Sequence, residues 1–210
     1  MGRITDIKPQ QRDKSRRSIF VDGEYCCGVG DIVIAQKRIK IGQEISVAEL
    51  KELVREEEER SAFDRALTYL TYRPRTRKEL TKYLTDKGFG TEIISVTLSK
   101  LERYRYVDDA AFGRQWVDER SRQVNRGARM IRQELKQKGL SEEEVAAAMD
   151  RVDPELELEK AVKLAEKYAR RCEGEPVYKR RGKMSQALAR RGYEWDVIEQ
   201  AVNRVLSEEE

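Results

Sequence analysis

Two adjacent carboxylates, Asp108 and Asp109, are the first residues of this sequence that could carry chemistry. Paired carboxylates can share protons in acid–base catalysis or bind a metal ion. A short carboxylate placed before a helix can equally accept a backbone N–H that the first turn leaves unpaired. Because a helical apolar pattern starts directly after the pair, helix capping is the simpler interpretation.

Cysteine and histidine usage argues against catalysis and metal binding. Cys26, Cys27 and Cys172 form no Cys-x-x-Cys pair, and adjacent residues of a strand point to opposite faces. The chain contains no histidine, the commonest general base and the usual activator of a nucleophile. No glycine-rich phosphate loop or dinucleotide-binding turn occurs. We therefore predict inert buried thiols, no enzymatic activity, no metal site and no cofactor.

Basic residues recur at matched places. The 43 Lys and Arg residues nearly balance 39 Asp and Glu, so the net charge is only +4. Three basic sets nevertheless lie near the starts of predicted helices, where the helix dipole is positive. Scattered solubilising charge is one interpretation; a stripe that binds phosphates or carboxylates is the other, favoured by the repetition. The candidate residues are Arg75, Arg77, Lys78, Arg126, Arg129, Arg132, Lys179, Arg180 and Arg181.

The elements that position these residues form an internal repeat. Gly88, Gly139 and Gly192 are spaced by 51 and 53 residues (88 to 139 and 139 to 192). Apolar residues flank each glycine at helical spacing, with Ile131 and Leu135 before the central one. The pattern predicts a mainly α fold of three tandem three-helix repeats, stacked into an elongated curved array because one repeat cannot bury its own apolar stripe.

The central repeat shows the pattern most clearly. Asp108 or Asp109 is expected to start a helix that places Phe112 and Trp116 on one face. Gly139 is expected to end the second helix in a left-handed conformation, with Leu135 deep in the core. Ser141 and Glu144 form a capping box for the third helix.

The first 45 residues have a different pattern. Alternating apolar residues and the turn signal Asp22-Gly23 predict a small antiparallel sheet. A basic loop (Arg12, Lys14, Arg16, Arg17) is either a solvated hairpin tip or a contact for an acidic partner or nucleic acid. We expect a β-rich segment (1–45), a linker helix (46–60), repeat one (61–109), repeat two (110–153), and repeat three with an acidic tail (154–210).

Composition limits the class of protein. Hydrophobic and charged residues each make up 39% of the chain, which is typical of a soluble, surface-rich protein. No run approaches the ~20 apolar residues that span a bilayer. We expect a cytoplasmic monomer that has no membrane partner.

These residues together resemble the RecX family of regulatory proteins, which modulate the RecA recombinase. The likeness rests on the run Tyr106-Val-Asp108-Asp109-Ala-Ala-Phe112, on Trp116 followed by Arg120, and on the pattern from Glu134-Leu135 to Gly139. It covers residues 60–206, and the N-terminal segment resembles an extension found in some members. Gly113, where alanine is usual, and the run from Met184 to Leu188, which lacks the Glu-Leu pair, depart from the pattern.

The resemblance implies a non-enzymatic protein that binds RecA in the groove of the RecA–DNA filament. Such a protein would inhibit strand exchange and ATP hydrolysis, and so modulate recombination, DNA repair and the SOS response. The nine basic residues above are then the candidate contacts with RecA and DNA. The rival hypothesis is a helical-repeat protein that binds DNA directly, with one recognition helix per repeat.

Overall fold

The computed structural model describes residues 1–11, 16–123 and 125–207. The described part is mostly helical with a small N-terminal sheet, which confirms the predicted fold class. Arg12 and Lys14 of the predicted basic loop and the acidic tail at 208–210 lie outside the described residues. The elements are β1 (Gly2–Pro9), β2 (Arg16–Val21), β3 (Glu24–Gly30), α1 (Asp31–Lys37), β4 (Glu44–Ile45), α2 (Val47–Leu70), α3 (Arg77–Asp86), α4 (Thr91–Arg103), α5 (Asp109–Arg120), α6 (Ala128–Lys138), α7 (Glu142–Met149), α8 (Pro154–Arg171), α9 (Val177–Arg190) and α10 (Trp195–Ser207).

The chain divides into two compact units. One unit holds residues 1–72 and 81–104, and the other holds residues 73–80 and 105–210. The division falls within helix α3. Helices α2 to α4 form the first three-helix repeat, α5 to α7 the second, and α8 to α10 the third.

The N-terminal strands form an antiparallel sheet in the order β3-β2-β1-β4. Asp22 and Gly23 link β2 to β3 with positive φ angles of 51° and 87°, as the turn signal predicted. Ile4, Ile19 and Val29 are fully buried and pack with Leu50 of helix α2. The sheet is therefore held by an apolar core that it shares with the start of α2.

Helix α2 is one continuous helix of 24 residues. It begins with a capping box of Ser46 and Glu49, and it spans both the expected linker helix and the first helix of repeat one. The run of four glutamates from Glu56 to Glu59 is not wholly exposed to solvent. Glu58 pairs with Arg16, and Glu59 pairs with Lys100 at 2.7 Å. These carboxylates therefore bind α2 to the strands and to α4.

Each second helix ends at its glycine in the same way. Gly88, Gly139 and Gly192 have φ angles of 86°, 95° and 81°. The next residue then donates its N–H to a carbonyl five residues back, which is the Schellman arrangement. The pairs are Phe89 to Leu84 at 3.2 Å, Leu140 to Leu135 at 3.3 Å, and Tyr193 to Leu188 at 3.3 Å.

Gly113 shows why this chain departs from alanine at that position. A Cβ there would lie 2.8 Å from Leu140 Cδ2 and 3.2 Å from Ala148 Cβ. The glycine therefore allows helix α5 to pack closely on α7. The other departure is equally well packed, since Met184 and Leu188 are fully buried in the core of repeat three.

No helix in the described ranges is both long enough and apolar enough to cross a membrane.

Candidate functional site

The acidic pair is used to stabilise helix starts. Asp108 Oδ1 accepts the backbone N–H of Ala111 at 2.7 Å, which caps helix α5 as predicted. Asp109 Oδ1 accepts the backbone N–H of Arg77 at 2.9 Å, so it stabilises the start of helix α3. Both carboxylates thus accept backbone N–H groups at helix starts, as the capping interpretation predicts.

Trp116 lies at the centre of a polar cluster in repeat two. Its ring stacks on Phe112 with centroids 5.5 Å apart, and its Nε1 donates to Glu134 Oε2 at 2.9 Å. The guanidinium of Arg120 lies 4.3 Å from the ring centroid. Arg126, one of the nine candidates, pairs with the same Glu134. The motif therefore builds the interior of repeat two and engages one predicted contact residue.

Of the remaining motif residues, two have the structural role that was predicted and one does not. Leu135 is fully buried, as predicted, and Gly139 adopts the expected left-handed conformation. Tyr106, in contrast, is 55% exposed, and the neighbouring Val107 is the buried residue. Tyr106 therefore contributes little to the core.

The first basic set lies within residues 73–80, which belong to the same compact unit as helix α6. Lys78 Nζ donates to the carbonyl of Gln137 at 3.0 Å, and Thr76 Oγ1 donates to the carbonyl of Lys138 at 2.7 Å. A Cβ at Gly139 would lie 2.5 Å from Lys78 Cδ. The start of α3 therefore packs directly on the end of α6.

Glu79 reinforces this junction electrostatically. Its carboxylate is 2.6 Å from Lys138 Nζ and 3.1 Å from Arg73 Nη2. Burial alone would raise the pKa of Glu79, but the hydrogen bonds from Lys138 and Arg73 outweigh burial and hold the pKa below its ordinary value. The ionised form of Glu79 is therefore the form that the fold stabilises.

The second basic set occupies the same place between repeats two and three. Arg129 donates from its backbone N–H to the carbonyl of Gly192 at 2.9 Å and from Nη2 to the carbonyl of Ala189 at 2.8 Å. Arg132 pairs with Glu194 at 3.0 Å. A Cβ at Gly127 would lie only 2.4 Å from the backbone nitrogen of Tyr193. The start of α6 thus packs on the end of α9.

The same kind of carboxylate completes both junctions. Asp109 bonds the first N–H of α3, and Glu157 of helix α8 bonds the first N–H of α6, at Ala128, with a distance of 2.6 Å. A negative charge at a helix start complements the positive end of the helix dipole. In each case the first helix of the following repeat supplies the carboxylate.

Sequence reasoning missed Glu157 and its neighbour Lys160, both of which are buried. Lys160 Nζ donates to the carbonyl of Ser121 at 2.6 Å. Burial lowers the pKa of Lys160, and the nearby charge of Glu157 partly offsets this effect. Glu157, Lys160, Ala161 and Leu164 are spaced so that all four lie on one face of α8. Two charged residues on an otherwise apolar face could have indicated buried groups that have hydrogen-bond partners.

The third basic set differs because helix α9 begins early. Helices α3 and α6 begin 11 residues before their glycine (77 to 88 and 128 to 139), but α9 begins 15 residues before Gly192 (177 to 192). The extra turn encloses the N–H of Arg181, which corresponds to the N–H groups bonded by Asp109 and Glu157. In repeat three this N–H is therefore bonded within α9, and no carboxylate from another element among the described residues bonds it.

Of the nine predicted contact residues, Arg75 and Arg180 are half-buried and Arg77 is exposed. The other six fall into two groups. Lys78, Arg126, Arg129 and Arg132 make contacts within the fold. Lys179 and Arg181 are exposed, and among the described residues they have neither an ion pair nor a side-chain hydrogen bond. Helix α9 contains no acidic residue, so its positive charge is not neutralised within the helix. One continuous stripe of all nine residues stays a prediction.

The cysteines are free and only partly accessible. Cys172 is buried, and Cys26 and Cys27 are half-buried. Burial, together with the neighbouring Cys26, raises the pKa of Cys27 to about 12, so its reactive thiolate is disfavoured. Within the described ranges, no group of three or more acidic, cysteine or histidine residues is arranged to hold a metal ion.

Comparison with family models gives four matches in chain order. Residues 2–46 match the Regulatory protein RecX N-terminal domain. Residues 62–101, 108–149 and 155–202 match the first, second and third three-helix domains of RecX.

Individual relatives are similar in sequence over nearly the whole of this chain. The chain is 30% identical over 210 residues to the Regulatory protein RecX of Bacillus pumilus (strain SAFR-032), covering 100% of this chain and 80% of the relative. It is 32% identical over 206 residues to that of Limosilactobacillus reuteri (strain DSM 20016), covering 98% and 78%.

Two solved structures are similar in fold. A crystal structure of regulatory protein RecX has a TM-score of 0.70 and 30% identity, and the match covers 97% of this chain and 100% of that one. A crystal structure of RecX from Lactobacillus salivarius has a TM-score of 0.69 and 26% identity, with coverage of 72% and 98%.

Proposed function

The chain belongs to the RecX family of regulatory proteins, and on that premise we propose that it binds the RecA recombinase and its DNA filament and inhibits strand exchange and ATP hydrolysis. The protein would thereby modulate recombination and DNA repair. The observation that carries the proposal is the tandem order of three RecX three-helix domains along one chain.

The tandem order suits a polymeric target. A filament of identical protomers repeats its binding sites at a fixed spacing, so a chain of three similar units can contact more than one protomer. Linked contacts raise the effective affinity without any new kind of contact. The protein would then favour filament disassembly and block access for a second DNA duplex.

The protein would regulate RecA without catalysing a reaction itself. The acidic pair caps helices, the buried Glu157 and Lys160 bond backbone groups, and the thiolate of Cys27 is disfavoured. These particular groups are thus engaged by the fold or disfavoured as nucleophiles. We expect this regulator to act as a cytoplasmic monomer.

The test is the ATPase activity of RecA on single-stranded DNA with sub-stoichiometric amounts of this protein. Inhibition at ratios too low to coat the DNA is expected if the filament is the target. Inhibition that begins only when the DNA is coated would favour the rival function, and the absence of any inhibition would contradict the proposal.

Direct binding to DNA is the second candidate function, and helix α9 favours it. The helix carries Lys179, Arg180, Arg181, Lys183 and Arg190 without an acidic residue. Binding through six or more phosphate contacts should weaken by roughly a thousandfold between 50 and 200 mM salt. Titration of labelled DNA at these two salt concentrations, in the absence of RecA, measures this dependence.

A further inference from the structure

Repeat three contains a groove between helices α9 and α10, with a cavity volume of about 430 Å³. Ala189, Ile198 and Val202 form its apolar lining. Tyr178 and Trp195 also line it, yet they are 71% and 68% exposed. Single exposed apolar residues are ordinary on protein surfaces, but two aromatic rings beside one apolar groove are typical of a binding site.

The two walls of the groove carry opposite charges. Arg181 lines the α9 side, and that helix has no acidic residue. Glu199 lines the α10 side and is exposed. A phosphodiester backbone would meet repulsion from Glu199, whereas a polypeptide can offer a charge of either sign to each wall.

One end of the groove is the start of α9, and the equivalent helix starts in repeats one and two are covered by other parts of the chain. In repeats one and two, the following repeat packs on the start of the second helix, through Lys78 and Arg129. The start of α9, which holds Tyr178 and Arg181, has no such cover among the described residues. An interface that occurs twice within the chain is thus open at its third position.

We propose that this groove binds an amphipathic α-helix of the partner protein, which is RecA in the proposed function on which this inference rests. The apolar stripe of that helix packs on the rings of Tyr178 and Trp195 and on the half-buried Ala189, above the buried Ile198 and Val202. An acidic residue on one flank of the bound helix pairs with Arg181, and a basic residue on the other flank pairs with Glu199.

The first test compares alanine variants of exposed aromatic residues in the full-length protein. Tyr178→Ala and Trp195→Ala should each weaken binding to DNA-free RecA by about tenfold or more, as expected for aromatic residues central to an interface. Tyr72→Ala removes a ring that is 79% exposed outside the groove, and it should leave binding unchanged. Fluorescence anisotropy of the labelled variants measures the affinity, and circular dichroism confirms that helicity is kept.

Charge reversal separates a polypeptide occupant from a nucleic acid. Arg181→Glu should weaken binding to RecA, and Glu199→Lys should weaken it as well, because a bound helix uses both walls. If the groove held nucleic acid instead, Glu199→Lys would strengthen binding to an oligothymidine probe, and Trp195→Ala would weaken it. That pattern, with unchanged RecA affinity, would overturn the proposal.

The remaining outcomes are also decisive. If the wild-type protein binds RecA and the four groove variants bind it equally well, the groove assignment is wrong while the proposed function stands. If the wild-type protein does not bind RecA at all, in the absence or presence of single-stranded DNA, the proposed function and the groove assignment both fail.

Discussion

At the scale of single residues, three carboxylates of this protein complete helix starts. Asp108, Asp109 and Glu157 each accept a backbone N–H from the first turn of a helix. An unpaired N–H costs free energy when it is removed from water, so a buried carboxylate such as Glu157 stabilises two elements at once. Residues that resemble a catalytic apparatus in sequence are therefore part of the framework.

Truncation of Leu135 should show how strongly repeat two depends on its core. Leu135 is fully buried between α5, α6 and α7. Leu135→Ala removes buried methyl groups and leaves a cavity, so it should lower the free energy of unfolding by about 2–5 kcal/mol. Urea unfolding measures the loss. The exposed Leu156→Ala serves as the control, and an equal loss for both variants would contradict this account.

Glu79 should make the stability of the protein dependent on pH in the acidic range. Its pKa in the fold lies below its ordinary value of 4.5, so its contribution is complete above pH 4.5 and is lost as the pH falls through the folded pKa. Wild type should therefore be more stable than Glu79→Gln at pH 7, and this difference should shrink as the pH falls below 4.5.

Urea unfolding at pH 7, 5 and 3.5 measures this difference. Glu159→Gln, on the exposed side of α8, controls for the loss of one negative charge. A difference between wild type and Glu79→Gln that stays constant over these three pH values would show that the Lys138 pair contributes nothing.

At the scale of elements, in repeats one and two the N-terminal end of the second helix contacts the C-terminal end of the second helix in the next repeat. This arrangement occurs between α3 and α6 and again between α6 and α9. The positive end of one helix dipole lies beside the negative end of another, which is favourable. The close approach requires glycine at the contact, as the position of Gly127 against Tyr193 shows.

Substituting alanine for Gly127, which lies at a junction, and for Gly182, which does not, should change the stability of the protein in opposite directions. Gly127→Ala places a methyl group 2.4 Å from a backbone nitrogen, so it should destabilise the protein by about 1–3 kcal/mol. Gly182→Ala, inside α9, meets no atom within 4 Å and should stabilise the protein by about 0.5–1 kcal/mol. Thermal unfolding of both variants distinguishes them, and a shift in the same direction would contradict the junction.

At the scale of the whole molecule, the repeat is regular in its junctions and irregular at its last copy. The extra turn of α9 bonds, within the helix, the N–H group that a carboxylate of the following repeat bonds in repeats one and two. Terminal repeats commonly differ in this way from internal ones. The same turn leaves Lys179 and Arg181 exposed, which makes repeat three the part of the predicted basic surface that can be tested most cleanly.

Charge reversal at Lys179 and Arg181 should therefore weaken regulation without unfolding the protein. We expect the double variant Lys179→Glu/Arg181→Glu to need about tenfold more protein for half-inhibition of RecA ATPase, because it replaces attraction by repulsion. Lys163→Glu/Lys167→Glu makes the same charge change on exposed positions of α8 and should behave as wild type. Equal loss in the two double variants would mean that only net charge matters.

Arg126, just before α6, and Arg129 and Arg132 within α6 are less suitable for this test. Arg126 pairs with Glu134, Arg132 pairs with Glu194, and Arg129 holds a carbonyl of repeat three. Reversing their charges would break the junction between repeats two and three together with any contact to RecA or DNA. A loss of inhibition in such a variant would not identify a binding surface.

The sequence by itself was enough for the features that depend on neighbouring residues. A capping box, a glycine turn and an apolar stripe each involve residues within about five positions of one another, so their spacing is visible in the chain. Ser141 with Glu144 and the left-handed Gly139 are of this kind. The threefold repeat was visible because the same local pattern recurs at intervals of 51 and 53 residues. The family likeness rests on the same local patterns.

Tertiary structure alone decided which distant groups meet. Glu157 bonds Ala128, Asp109 bonds Arg77, and Arg129 bonds the end of α9, over separations of 29, 32 and 60 residues. Such pairs depend on how far each helix is rotated and how closely two backbones approach, and neither quantity has a period in the sequence. For this reason the basic residues could be predicted as a set, while only their packing separated those that hold the repeats together from those left exposed.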